Sequence, residues 1–440
     1  MNAGSYLTLT ELPATETPSI RRRLLADVRP LQESPEYRRL WVGAALSAIG
    51  NRMTGVAVPV QIYALTHSSL AVGLIGIAHG APLIALGLLG GSFADALDRR
   101  KLVLAASSLL ALVSLLFTLQ AYFDLRQLWL LYMLLGIQSA LWAVDQPTRR
   151  AFIPRLLPSE RIPAATALAF LSFHITNVLG PVIAGVIIAA AGLPAAYAVD
   201  TLSFAFTIYS VLRLPAMRIR GSATPPGLHS MLEGLRFVRR RSVLGMVLLV
   251  DLNATIFGMP ISLFPALAAT RFGGGATTVG LLFAAVSVGG VLSAVFSGPV
   301  SRVGRQGLAV LLAVAVWGAA IAGFGLSPWL WLAVLLLAVA GAADVVNGVF
   351  RTTILQVNTP DALQGRVSSL GFVVGAGGPD LGNVEAGVVA QLTSPVISAV
   401  SGGLACLVGV ILLGLALPAF VRYDAGGTAS GTTGAEPSKV

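Results

Sequence analysis

Leu128–Arg150 reads LWLLYMLLGIQSALWAVDQPTRR, and 202 residues further on Leu330–Thr352 reads LWLAVLLLAVAGAADVVNGVFRT. Both open on Leu-Trp-Leu, run uncharged to Val144 and Ala343, and close on a polar residue with an arginine four positions later. These pairs are Asp145 with Arg149 and Asn347 with Arg351. An apolar run of roughly 17 to 25 residues is what a helix needs to cross the hydrocarbon core of a bilayer. At the same offset Leu168 meets Leu370, Phe170 meets Phe372, Gly180 meets Gly382, and Ala184-Gly185 meets Ala386-Gly387. At an offset of 207, Val72-Gly73-Leu74 meets Val279-Gly280-Leu281, and Gly91 meets Gly298. Chance agreement between apolar runs does not produce matched Trp, Arg and Ala-Gly positions. The chain therefore reads as two six-helix halves related by an axis along the membrane normal.

Composition agrees. Of 440 residues 55% are apolar and 11% charged, and the mean hydropathy is +0.82. Soluble domains carry about 25% charged residues, so this chain has too few to solvate a globular surface. That excludes a soluble enzyme, a nucleic-acid binder and a disulfide scaffold. Cys406 is the single cysteine, so no disulfide or Cys-based metal site is possible, and no cofactor is expected. Between a polar head and tail, twelve crossings would have about 32 residues each, a spanning helix of roughly 20 plus a short loop.

The expected class is an all-α membrane protein with twelve transmembrane helices. The candidate runs are 40–62, 70–92, 101–122, 128–144, 164–191, 196–214, 243–264, 278–297, 308–325, 329–349, 367–392 and 397–420. Around them fall an N-terminal tail (1–38), an N-terminal half (39–214), a linker (215–242), a C-terminal half (243–422) and a C-terminal tail (423–440). Polar residues follow Arg21-Arg22-Arg23 where a signal peptide would place its apolar core, so the head reads as a retained tail. In the linker Met231, Leu235 and Val238 share a helical face against Arg236, Arg239 and Arg240, which predicts a helix lying on the inner leaflet.

Charge sets the orientation. Of 29 Lys and Arg, all but Arg52, Arg126 and Arg271 fall in the head, the tail and the even-numbered connections. The positive-inside rule puts both termini in the cytoplasm and makes the protein a multi-pass plasma-membrane protein. The net charge of +10 is then a topology and anionic-lipid signal, with no nucleic-acid partner implied.

Two segments resemble signatures of the major facilitator superfamily. Gly91–Arg100, GSFADALDRR, resembles its loop motif between helices two and three, G-x-x-x-D-[RK]-x-G-[RK]-[RK]. Gly91, Asp95, Arg99 and Arg100 match, while Ala96 and Asp98 depart. The resemblance implies a charge latch on these residues that stabilises the outward-facing form. Gly180-Pro181-Val182-Ile183-Ala184-Gly185 resembles the end of the helix-five antiporter motif, with Ala167 and Thr176 in place of its upstream glycines. Close packing by small residues accounts for Gly180 and Gly185 equally well.

A closer resemblance spans Leu40 to Phe420. Val56–Ile62 (VAVPVQI), Thr66-His67-Ser68, Gly234–Phe237, Thr359-Pro360, Gly365-Arg366 and Thr393-Ser394-Pro395 resemble the enterobactin exporter family, whose near relatives include macrolide and other drug efflux pumps. The resemblance implies a secondary active transporter that exports a siderophore by alternating access, with the proton as coupling ion. A multidrug or macrolide efflux antiporter is the alternative. The partners it implies are a siderophore-like or drug-like small molecule, the proton and the bilayer, with the protein working as a monomer.

Charges inside the runs ask for their own explanation. Arg52, Asp145, Asp200, Asp251, Asp344, Asp380 and Glu385 all lie within predicted spans. At about 2.5 to 3.5 kcal/mol each, seven unpaired central charges would cost roughly 18 to 25 kcal/mol, an upper bound because several lie near interfaces. Pairing, protonation or a wet cavity must relieve that cost. The superfamily resemblance implies a cavity lined by helices one, four, seven and ten, hence by Arg52, Asp145, Asp251 and Asp344. Asp145 is expected to pair with Arg149 one turn on, and Asp200 to sit at an outer helix start.

Asp251, Asp380 and Glu385 are the deep candidates for carrying a proton, with Arg52 as the one intramembrane cation able to hold an acid ionised. The last two acids, five residues apart, should point about 140° from one another. Gly377-Gly378-Pro379 should break or kink helix eleven. His79 and His174 read first as packed hydrogen-bonding residues, with a proton relay as the alternative. No G-x-x-x-x-G-K-[ST], H-E-x-x-H or G-x-S-x-G occurs, so neither ATP hydrolysis nor a catalytic residue is expected.

Overall fold

A computed structural model describes residues 27–96, 98–150, 152–214, 228–296 and 303–424. All twelve apolar runs fall on helices. We label these α1 (Pro35–Thr66), α2 (a first limb Ser69–Gly73 and a second Ile75–Ala96), α3 (Arg99–Tyr122) and α4 (Leu128–Arg150). Ile162–Leu212 is one helical stretch that Gly192, at φ 80°, divides into α5 (162–191) and α6 (193–212). Then come α7 (limbs Ser242–Phe257 and Phe264–Thr270), α8 (Ala276–Val295), α9 (Gln306–Leu326), α10 (Leu330–Val357), α11 (Asp361–Leu392) and α12 (Pro395–Ala416). Among the described residues nine stretches are long and apolar enough to cross a membrane, one of them holding both α5 and α6. The 32-residue helices α1 and α11 are long enough but too polar for that set.

Local chemistry fixes the ends. Ser34 caps α1 by accepting from the Tyr37 N–H at 3.1 Å, with Pro35 in the first turn, where a missing N–H costs nothing. Asp98 caps α3 through the Arg100 and Lys101 N–H groups, and Ser394 caps α12 through Ile397. His67 closes α1 in the left-handed region at φ 50°, so the chain turns back within two residues into α2.

In the N-terminal half α1 packs on α5 and α6, α3 on α4 and α6, and α2 on α4; in the C-terminal half α9 packs on α12 and α10, α8 on α10, and α7 on α11. Leu109, Leu112 and Leu116 of α3 and Ile411, Leu412 and Leu415 of α12 stay exposed, as a lipid-facing surface requires. The halves meet chiefly through two helix pairs, α2 with α11 and α5 with α8. Exchanging the halves turns one pair into the other, the relation expected from the internal repeat.

Both pairs depend on small residues. A Cβ at Gly76 would collide with the Asp380 carbonyl, and one at Gly280 with the Pro181 carbonyl and Gly185. This contact zone lies toward the α1–α2, α5–α6, α7–α8 and α11–α12 connections, which we call the outer side. The structure is closed at the outer side.

One expectation needs correction. Helix α11 runs unbroken across Gly377-Gly378-Pro379. Its glycines instead admit neighbours, Gly377 facing the Ile84 side chain and Gly378 the Thr255 side chain. The linker holds a helix, Leu228–Arg239. Val238 is buried against Leu244, Leu248, Val367 and Leu370, while Leu235 is exposed. An ion pair from Arg366 to Glu233 ties this helix to α11. The side chain of Met231, the tails beyond residues 27 and 424, and linker residues 215–227 lie outside the described residues.

Candidate functional site: the interface between the halves

The two halves hold four polar clusters, one across their junction and three within a single half. Nearest the closed side, His79 of α2 and Asp380 of α11 meet across the interface, Nδ1 to Oδ2 at 3.0 Å. Gly80 makes the approach possible, because a Cβ there would stand 2.9 Å from the Asp380 Cβ. The Ser139 hydroxyl of α4 donates to the His79 carbonyl at 2.6 Å and holds this turn of α2 in place. Further out, Ser68 donates to Gln391 at 2.9 Å, again between halves. Glu385, half-buried, has no ion-pair or hydrogen-bond partner among the described residues, so the two acids of α11 differ in surroundings as their spacing predicts.

The second cluster is in the C-terminal half. Asp251 of α7 is buried and takes an ion pair from Arg351 of α10, while Asn347 donates to its other oxygen at 3.2 Å. Asp344 lies two turns from Arg351 on the same face of α10, within electrostatic reach of Arg351 and Asp251, yet exposed. The third is its counterpart across the repeat. Asp145 pairs with Arg149 on α4, as expected, and Arg149 also donates to Ser107 of α3 at 2.7 Å. Arg149 and Arg351, equivalent in the repeat, thus each neutralise a buried aspartate. In one half that acid sits on α4, and in the other on α7.

Asp200 forms the fourth. It is fully buried in the middle of α6, with no place at a helix start, and accepts from Thr54 of α1 at 2.7 Å and Ser114 of α3 at 2.9 Å. Gly50 lies against its other oxygen. Arg52 does not reach it. Gly50 and Thr54 share one face of α1, and Arg52 stands about 200° round from Gly50. The sequence points to Arg52 as the cation that holds an acid ionised. Instead Arg351 and Arg149 are the arginines paired with buried aspartates, and Arg52 lies over the Phe173 ring of α5, 5.5 Å from its centroid. Among the described residues Arg52 has neither a carboxylate partner nor a hydrogen bond. A cation over an aromatic face gains about 0.5 to 2 kcal/mol, less than the cost of about 2.5 to 3.5 kcal/mol for an unpaired arginine at mid-bilayer.

Arg99 begins α3, and Arg100 donates to the Val211 and Leu212 carbonyls at 3.2 and 2.6 Å, covering the C-terminal end of α6 within its own half. The side chains of Gly91 and Asp95 lie outside the described residues. Gly180 and Pro181 are buried in α5, Gly180 against the stem of Arg52 and Gly185 against Ala276 and Thr277 of α8. Close packing therefore explains both glycines. His174 stacks edge-on against Phe173 at 5.6 Å. Among the described residues no cluster of His, Cys, Asp and Glu suits a metal ion.

Two helical halves joined on one side, with a charged contact between them and buried charges within each, define a multi-pass membrane transporter of the major facilitator fold. The same fold is found in the nucleoside transporter NupG (TM-score 0.64, 14% identity, 88% of this chain and 100% of that one). It is also found in a peptide transporter POT in complex with sulfate (TM-score 0.69, 12% identity, 88% and 95%). The transmembrane secretion effector family matches residues 26–430, and the chain belongs to it. It is 30% identical over 401 residues to the enterobactin exporters EntS of Shigella boydii serotype 18 (strain CDC 3083-94 / BS512) and Escherichia coli O81 (strain ED1a), covering 91% of this chain and 96% of each relative.

Proposed function

We propose that the protein exports a siderophore of the enterobactin kind across the plasma membrane, by alternating access and in exchange for protons, acting as a monomer with both termini in the cytoplasm. Its similarity over nearly its whole length to proteins named enterobactin exporters supports the cargo. The distribution of arginines and lysines supports the orientation.

The observation that carries the mechanism is the His79–Asp380 contact, which joins the halves within the helix pair that must part for the outer side to open. In the cycle we envisage, cargo enters from the basic, cytoplasmic side. The halves then rock, α2 leaves α11, and Asp380 loses His79 and meets outside water. A proton taken up there travels back as the outer side closes and leaves by way of His79, whose side chain is 38% exposed. A carboxyl group can carry a proton between compartments only if its surroundings change between the two states, and losing the histidine is such a change. One charge moving across 100 mV supplies about 2.3 kcal/mol.

The test is flux in everted membrane vesicles energised by a proton gradient, with enterobactin, erythromycin and tetraphenylphosphonium as cargoes. Accumulation of enterobactin alone supports the reading. Accumulation of erythromycin or tetraphenylphosphonium without enterobactin would make the protein a drug efflux pump instead.

A further inference from the structure

Within the spans Arg52 of α1, like Glu385 of α11, has neither an ion pair nor a hydrogen bond among the described residues, and it is a basic group left without an acid. Asp145 is taken by Arg149, Asp251 by Arg351 and Asp380 by His79. Asp200 lies behind the opposite face of α1, bonded to Thr54 and Ser114. The stem of Arg52 runs over Gly180, where a Cβ would collide with it, so glycine at this position lets the side chain pass along α5. Its guanidinium then reaches Phe173, whose ring is 53% exposed and backed by His174. The arrangement offers a planar, permanently charged fork beside an open aromatic face, two features that together suit an anion carried on an aromatic ring.

We propose that Arg52 and Phe173 form a binding subsite for an anionic aromatic group of the transported compound. The inference rests on the transporter reading of the junction and deepens it by naming a cargo chemistry and the residues that meet it. In the amino-acid sequence the buried acids outnumber a single arginine, which favours a cationic cargo. With Asp145 and Asp251 paired within the protein, the unpaired charge where α1 packs on α5 is positive.

The experiment measures equilibrium binding of two fluorescent probes to the full-length protein in lipid nanodiscs, corrected with empty nanodiscs. The probes are 2-naphthoate and (2-naphthylmethyl)ammonium, which share a ring system and differ in charge. Saturable binding is expected for 2-naphthoate and not for the ammonium. Arg52→Gln should weaken 2-naphthoate binding by about tenfold or more, the loss of one charge-assisted contact. Arg52→Lys, which keeps the charge without the fork, should fall between the two, and Phe173→Leu should also weaken binding. Unchanged melting temperatures for these variants show that the protein still folds.

Absence of saturable 2-naphthoate binding would overturn the proposal. So would equal binding by wild type and Arg52→Gln, or a saturable ammonium that competes for the same site. The readout involves no flux, so a failure of enterobactin export in vesicles leaves this result standing. Loss of the subsite likewise leaves the export reading to its own assay.

Discussion

Asp251 and Arg351 show how single residues decide whether this fold can hold charge. A buried ion pair contributes little relative to a well-packed apolar pair, but removing one partner strands the other and costs about 3 to 5 kcal/mol. Arg351→Leu alone should therefore lower the melting temperature of detergent-purified protein sharply, and Asp251→Asn with Arg351→Leu together should recover most of the loss. A double variant no more stable than Arg351→Leu alone would show that the pair is not the reason. This pair is only half legible in the sequence. Asp251 stands out as too deep for a helix end, whereas Arg351 reads as an inner-loop residue because hydropathy falls after Val349. Helix α10 continues to Val357 and carries the arginine back under α7. The repeat holds the missing signal, since Arg351 aligns with Arg149, and Asn347 aligns with the aspartate that Arg149 pairs.

Among the elements, α2 and α11 are the pair whose separation the mechanism needs. Their backbones approach where Gly76 faces the Asp380 carbonyl, and a side chain there cannot be accommodated without parting them. Gly76→Leu should hold the outer side open. Spin labels at Gln127 of the N-terminal half and Thr393 of the C-terminal half, both exposed, should report longer distances in this variant. An unchanged distance distribution would mean that the contact does not set the conformation.

The helices themselves are readable because twelve apolar runs, their Ser and Asp caps and their Pro starts all point the same way. The function of individual glycines is not. Gly377-Gly378-Pro379 looks like a helix breaker on propensity alone, and only the neighbours Ile84 and Thr255 explain why the helix continues with glycine there. Val238 likewise can be assigned to an apolar face from its spacing. That Val238 packs against Val367 and Leu370 of α11, near the Glu233–Arg366 ion pair, depends on contacts between distant parts of the chain.

At the scale of the whole molecule, orientation and coupling are properties of the protein in its membrane and are measured there. Cys406 is fully buried, so background labelling by thiol reagents should be low. In intact cells an impermeant reagent should label a cysteine at Gln127 or Thr393 and spare one at Ser159; the reverse pattern would invert the topology. The two-half architecture is legible in the amino-acid repeat alone, and the family resemblance points to export. The residue that closes the halves is less visible. Asp380 is conspicuous as an acid deep in a span, whereas His79 acquires meaning only when α2 lies beside α11.

The most direct test of the account is pH-gradient-driven enterobactin flux in proteoliposomes, with wild type compared with Asp380→Asn, beside counterflow without a gradient. Gradient-driven flux is expected for wild type, and for Asp380→Asn its loss with counterflow retained. Gradient-driven flux that persists in Asp380→Asn would contradict it.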